Sequence, residues 1–163
     1  FAEAIELRAG ERTTVGGAEI TATRAVHEGR RFKVGPKVEA AGYVIEAGGR
    51  RVYFAGDTDL FAEMDELAGR IDVALLPIAG WGPRLGTGHL NPRSAAEAAA
   101  RIRPRIVVPI HWGTLVRGDL RPGAIEFLRD PPRRFAAQLS ELAPGVELAL
   151  LEPGGSLDLP RLP

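Results

Sequence analysis

Histidine is scarce in this chain, with three among 163 residues, and cysteine is absent. Two of the histidines, His27 and His111, directly follow strand-like runs, Ile20 to Val26 and Ile106 to Ile110. A third run, Val52 to Ala55, stops at Gly56 and delivers Asp57 into a turn. A carboxylate at the mouth of a buried strand is costly unless a cation meets it. Strand ends are also where open α/β layers gather their chemistry. Imidazole and carboxylate together are divalent-metal ligands, and glycine close behind each suits a metal that keeps an open position for water. Each residue alone has an ordinary reading. A lone histidine is more often structural or exposed, and Gly-Asp-Thr is a common turn whose side chain caps the next helix. The joint pattern carries the metal reading.

Other polar candidates surround these. His89 sits at the end of a glycine-rich loop, Ala79 to Gly88, just before Asn91-Pro92. It reads either as a loop residue or as part of a site. Arg30 and Arg31 follow His27 in a basic loop, and Arg84 lies in the glycine-rich loop. Solvated loop charge is the ordinary reading for all of them. Guanidinium groups close to a metal-ligand histidine would also suit a carboxylate or phosphate. Trp81 and Trp112 read as packing residues.

These residues need a scaffold, and the chain supplies one in order. Ile5 to Leu7, Thr13 to Val15 and Ala18 to Val26 predict a β meander with turns at Ala9-Gly10 and Gly16-Gly17. Gly42 to Glu46 and Arg51 to Ala55 flank Gly48-Gly49 and predict a hairpin. A helix over 58–68 is expected next, capped by Thr58 or Asp59, with Leu60, Phe61, Met64 and Leu67 on one face. Asp72 to Ile78 is a continuous apolar run, the mark of a strand covered on both faces. Asn91 and Pro92 open an alanine-rich helix that ends before Pro104, and Arg105 to Ile110 is the next buried strand. A short helix from Pro122, a helix capped by Asp130, a strand Val146 to Leu151 and a turn at Gly154-Gly155 into Ser156 to Leu159 complete the pattern.

Composition narrows the function classes. The apolar fraction of 45% supports a real core. With 21 basic and 21 acidic residues the net charge is zero, so bulk charge favours neither nucleic acid nor a membrane surface. No apolar run approaches the roughly 18 residues of a membrane span. Lacking cysteine, the chain can offer a metal only nitrogen and oxygen ligands. A cytoplasmic enzyme is the default expectation, and a homo-oligomer is compatible with it.

The ordered set Val26-His27, Arg30/Arg31, Gly42-Tyr-Val-Ile-Glu46, Val52-Tyr-Phe-Ala-Gly-Asp-Thr58, Asp72-Val-Ala-Leu-Leu-Pro-Ile78, His89-Leu-Asn-Pro92 and Val108-Pro-Ile-His-Trp-Gly-Thr114 resembles the metallo-β-lactamase superfamily. Within it, the chain is most similar to the ascorbate-phosphate lactonase-like and N-acylphosphatidylethanolamine phospholipase D-like branch. The resemblance implies an α/β (α+β) chain and an αββα sandwich. It implies two divalent metal ions, zinc with manganese as the alternative. His27 would complete one metal site, Asp57 would bridge both ions, and His111 would complete the second. His89 would line the active site in a substrate-binding or proton-transfer role, and Arg30 or Arg31 would steer a small anionic substrate. The implied activity is hydrolysis of an ester, lactone or phosphodiester by a metal-bridging hydroxide.

The same resemblance exposes a departure. The family motif His-x-His-x-Asp-His and the sheet before it are not in this sequence, which opens on Phe1. Residues 1–163 are therefore expected to be a single domain, the C-terminal portion of such a hydrolase, with an incomplete ligand set. The competing expectations are a catalytically inactive half-domain and a metal-free binding module.

Overall fold

The computed structural model describes residues 4–27, 39–80, 82, 85–114, 126–152 and 154–159. Its strands are β1 (Arg12–Val15), β2 (Ala18–Arg24), β3 (Ala41–Ala47), β4 (Arg50–Phe54), β5 (Val73–Pro77), β6 (Ile106–Ile110) and β7 (Glu147–Leu148), and its helices are α1 (Pro92–Ile102), α2 (Glu126–Arg129) and α3 (Pro131–Leu142). The strands form one seven-stranded sheet in sequence order. β1 to β4 pair antiparallel, and β4 to β7 pair parallel. The change of sense falls where hairpin turns give way to longer crossovers, as parallel pairing requires.

Register decides which side chains share a face. Val44 opposes Tyr53, Tyr53 opposes Ala74, and Ala74 opposes Val107. These residues join Leu76, Ile78, Phe135 and Leu139 in the main core. Ala95, Ala96, Ala98 and Ala99 of α1 are fully buried there. Their small side chains let the helix axis approach closely, and Phe135 and Leu139 of α3 fill the space beyond. Truncating Phe135 to alanine would cost about 3–5 kcal/mol. The opposite face keeps Ile45, Val52 and Leu75 half-buried, and Phe54 is 38% exposed.

Most predicted elements form, and the exceptions have local causes. Ile5 to Leu7 is not a strand; pairing starts at Arg12, after Glu11 accepts the Arg8 N–H across the Ala9-Gly10 turn. The helix expected over 58–68 shrinks to a 3-10 helix, Ala62–Leu67. Neither Thr58 nor Asp59 caps it. Phe61 occupies the cap position in an extended conformation, because the Thr58 and Asp59 side chains bond other segments. Met64 is still fully buried.

Val146 to Leu151 contracts to Glu147–Leu148. The Ala149 N–H still reaches the Val107 carbonyl at 3.0 Å. The next ladder donor would be residue 109, a proline with no N–H. No strand forms over Ser156 to Leu159. Asn91 caps α1 as expected, its side chain accepting from Arg93 and Ser94 while Ser94 answers the Asn91 N–H. Asp130 precedes α3 but bonds Arg133 instead of the helix amides. Pro122 lies outside the described residues.

Candidate metal centre

The topology alone brings the candidate residues to one edge. β2 and β4 both run antiparallel to β3, and β5 and β6 run parallel to β4. The C-terminal ends of β2, β4, β5 and β6 therefore point the same way. His27 follows the first, Asp57 the second, the loop with His89 the third, and His111 the fourth. This is the side of an open sheet where ligands gather.

Hydrogen bonds between loops fix the edge. Thr58, fully buried, accepts the Val26 N–H on Oγ1 at 2.9 Å. The Asp59 N–H donates to the Val26 carbonyl at 2.8 Å, and the Leu90 N–H to the Thr58 carbonyl at 2.7 Å. The Asp59 carboxylate accepts the Leu60 N–H at 2.8 Å and the Gly88 N–H at 3.1 Å. Residues 26–27, 57–59 and 88–90 are thus tied together through the backbone. Gly56, at φ 61°, makes the turn that presents Asp57, and a Cβ there would stand 3.0 Å from the Ala41 carbonyl oxygen.

Within this frame His27, Asp57 and His89 each offer one donor atom, and the three atoms lie within 4.8 Å of one another. The His27 and His89 rings meet edge to face with centroids 4.7 Å apart. His111 stands outside that group but faces its carboxylate, with Nε2 3.4 Å from Asp57 Oδ1. Asp57 therefore lies between the His27/His89 pair and His111. The sequence reading placed His27, Asp57 and His111 as ligands and His89 at the substrate. In the structure all of them surround Asp57, and His89 is in the metal-sized group.

The ring nitrogens are oriented from behind. His27 Nδ1 lies 3.0 Å from the Gly88 carbonyl oxygen, and His111 Nδ1 lies 2.7 Å from that of Ala79. A carbonyl can only accept, so each Nδ1 donates its proton there, and Nε2 is the ring nitrogen left for the site. Such backing is how proteins orient imidazole ligands. It makes the His111–Asp57 contact informative. Two acceptors at 3.4 Å repel unless a proton or a cation lies between them. Two ligands about 2.0–2.1 Å from one tetrahedral ion stand about 3.3–3.4 Å apart. The donor set therefore fits a divalent metal. His111 also adopts φ 60°, a left-handed conformation uncommon for a side-chain-bearing residue.

Thr58 and Asp59 are the residues whose part the sequence reading missed. Their partners are backbone groups 29 to 32 positions away, which no local pattern shows. Arg30, Arg31, Arg84 and Trp81 lie outside the described residues. Trp112 is half-buried and donates from Nε1 to the Pro109 carbonyl at 3.1 Å, a packing role. Among the described residues, no helix is long and apolar enough to cross a membrane.

Comparison with known proteins bears on the family and the fold. A family model described as Beta-lactamase superfamily domain matches residues 1–112. A curated relative from Nitratidesulfovibrio vulgaris, named UPF0173 metal-dependent hydrolase, is 38% identical over 156 residues, 93% of this chain and 56% of that protein. Among solved structures, Igni18, a metallo hydrolase from the archaeon Ignicoccus hospitalis, superposes with a TM-score of 0.70 at 28% identity, over 94% of this chain and 59% of that one. The metallo-β-lactamase fold protein YhfI from Bacillus subtilis shares the fold, with a TM-score of 0.65 at 14% identity over 92% of this chain and 53% of that one. The chain spans about half the length of the curated relatives it matches. From the fold, the gathered donors and these matches together, the chain belongs to the metallo-β-lactamase superfamily, whose matched curated relatives are named metal-dependent hydrolases.

Proposed function

We propose that His27, Asp57, His89 and His111 form part of the metal-holding edge of a hydrolase that cuts an ester, lactone or phosphodiester bond in a small anionic substrate. The observation that carries this reading is the approach of His111 Nε2 to Asp57 Oδ1, 3.4 Å, with both Nδ1 protons already committed to carbonyls. Zinc is the metal proposed, as two ions, with manganese the alternative, and Asp57 with the three histidines would be the residues of this chain that hold it. When bound, the metal supplies a nucleophilic water near neutral pH and polarises the bond to be cut.

The chain's own residues do the rest. His27 and His111 present Nε2 from rigid strand ends. Asp57, half-exposed between them, orients what binds on either side. His89 takes a place among the ligands in addition to the substrate role that the family resemblance gives it. Arg30 and Arg31 supply cationic steering for the substrate.

The test uses the full-length protein. Asp57→Ala is expected to abolish hydrolysis and lower the metal bound per chain. His89→Ala separates its two roles: loss of metal marks a ligand, and retained metal with reduced turnover marks a substrate contact. If Asp57→Ala keeps both metal and activity, the site assignment is wrong.

A further inference from the structure

A groove of about 1010 Å³ opens from His89 and runs between α1 and the start of α3. Ile78, Leu85, Pro92 and Pro131 give it apolar walls, and Arg93, Arg133 and Arg134 line it as well. We propose that this groove binds the ligand's anionic group, a carboxylate or a phosphate, on the α3 arginines, with the neutral body lying toward His89. That the bond to be cut then lies at the His89 end rests on the hydrolase reading above; the anion site itself does not.

The charge balance of the lining favours an anion. Asp59 also lines the groove, but its two carboxylate oxygens already accept the Leu60 and Gly88 N–H groups. Asp130 is the other acidic residue among the described lining residues, so two carboxylates stand against three guanidinium groups there. It takes Nε and an Nη of Arg133 on one oxygen, at 3.1 and 2.6 Å, and stands 3.9 Å from Arg134 Nε. One carboxylate thus holds two arginines beside each other while using only part of their donors, since each guanidinium carries five N–H groups. Arg93 leans on Glu97 through Nε alone, at 3.1 Å.

The helix ends do not explain the site. The first free amides of α1 are taken by Asn91 Oδ1, and α3 begins with two prolines. An anion here is held by side chains, for which the arginine fork is well suited. The groove is also far larger than a bare phosphate needs, and its volume is typical of a site for a small organic ligand.

The experiment titrates the ¹⁵N-labelled chain, freed of metal with a chelator, with inorganic phosphate and separately with succinate. Saturable shifts are expected at the Thr87 and Gly86 amides and at the Nε of Arg93, Arg133 and Arg134. The tighter of the two probes identifies the anion class. The Arg133→Gln/Arg134→Gln double variant should weaken binding about tenfold, and Arg101→Gln, on the exposed face of α1, should leave it unchanged. Unsaturating shifts spread over all arginines, or equal binding by the double variant, would overturn the proposal. So would binding that appears only with zinc and survives the double substitution, because the anion would then sit on the metal. A chain that binds phosphate in the groove but takes up no zinc would instead separate this site from the hydrolase reading.

Discussion

His27 Nδ1 donates to the carbonyl oxygen of Gly88 across 3.0 Å, so the loop that carries His89 also sets the tautomer of His27. Gly88 is held from its other side as well, by the Asp59 carboxylate on its N–H. One buried glycine thereby couples three residues of the site. It does so at φ 90°, a conformation open to glycine and strained for other residues.

Gly88→Ala should therefore act on the metal more than on the fold. The strain costs about 1–2 kcal/mol. Displacement of the carbonyl should lower zinc affinity about 10–100-fold, the usual effect of losing a partner behind a metal ligand. Gly16→Ala is the control: its φ is 59° and a Cβ there meets nothing within 4 Å. It should show a similar stability loss with unchanged affinity. Zinc titrations of both variants, alongside denaturant melts, check the difference.

Thr58 is the second joint. It is 0% exposed, and its hydroxyl accepts from Val26 and donates to the Asp59 carbonyl. Thr58→Val keeps the shape and strands both backbone groups, at a cost of about 1–3 kcal/mol. Thr58→Ser keeps the hydroxyl and loses one methyl, about 1 kcal/mol. The valine variant should also release the Val26 amide to faster hydrogen exchange, and the serine variant should not. Equal exchange at Val26 in both would show that the hydroxyl does not hold the His27 strand end.

Alkaline pH tests the core beneath the site. Burial pushes the Tyr53 phenol up to about 12. A folded-state pKa raised in this way gives stability that is intact below the unfolded value, about 10, and is lost as pH rises through the folded value. The stability difference between Tyr53→Phe and the parent should be constant up to about pH 10. It should then move in favour of phenylalanine by up to about 3 kcal/mol by pH 12. Urea melts at fixed pH steps measure it; a flat difference across that range would mean that Tyr53 reaches water.

Much of this architecture was legible because it is written locally. Asp72 to Ile78 and Arg105 to Ile110 are apolar without alternation, and both became central parallel strands. One face enters the main core, while the other keeps Leu75, Ile106 and Ile110 half-buried, short of the full cover on both faces that the run implies. Gly16-Gly17 and Gly48-Gly49 marked their hairpins, and Asn91-Pro92 marked the start of α1. What escaped depends on groups distant in sequence. The apolar spacing after Asp59 reads as a helix, but Gly88 and Val26 claim the residues that would have begun it. The end of β7 is dictated by Pro109 on the neighbouring strand.

The site follows the same division. His27, Asp57 and His111 declare themselves as polar residues ending apolar runs. His89 follows a glycine loop of no fixed period, and only the tertiary bonds of Gly88 and Leu90 bring it to Asp57. Arg133 and Arg134 of α3 line the same groove as His89, which no local pattern in the sequence shows.

The central claim is that a divalent metal is held around Asp57, and the three histidines make it directly measurable. Zinc would be titrated into the ¹⁵N-histidine-labelled chain and the imidazole nitrogens followed. The account predicts that the Nε2 signals of His27 and His111 shift on binding while their Nδ1 nitrogens stay protonated, that His89 responds in the same titration, and that Asp57→Ala removes these changes. Three imidazoles that ignore zinc, or a response that survives Asp57→Ala undiminished, would contradict it.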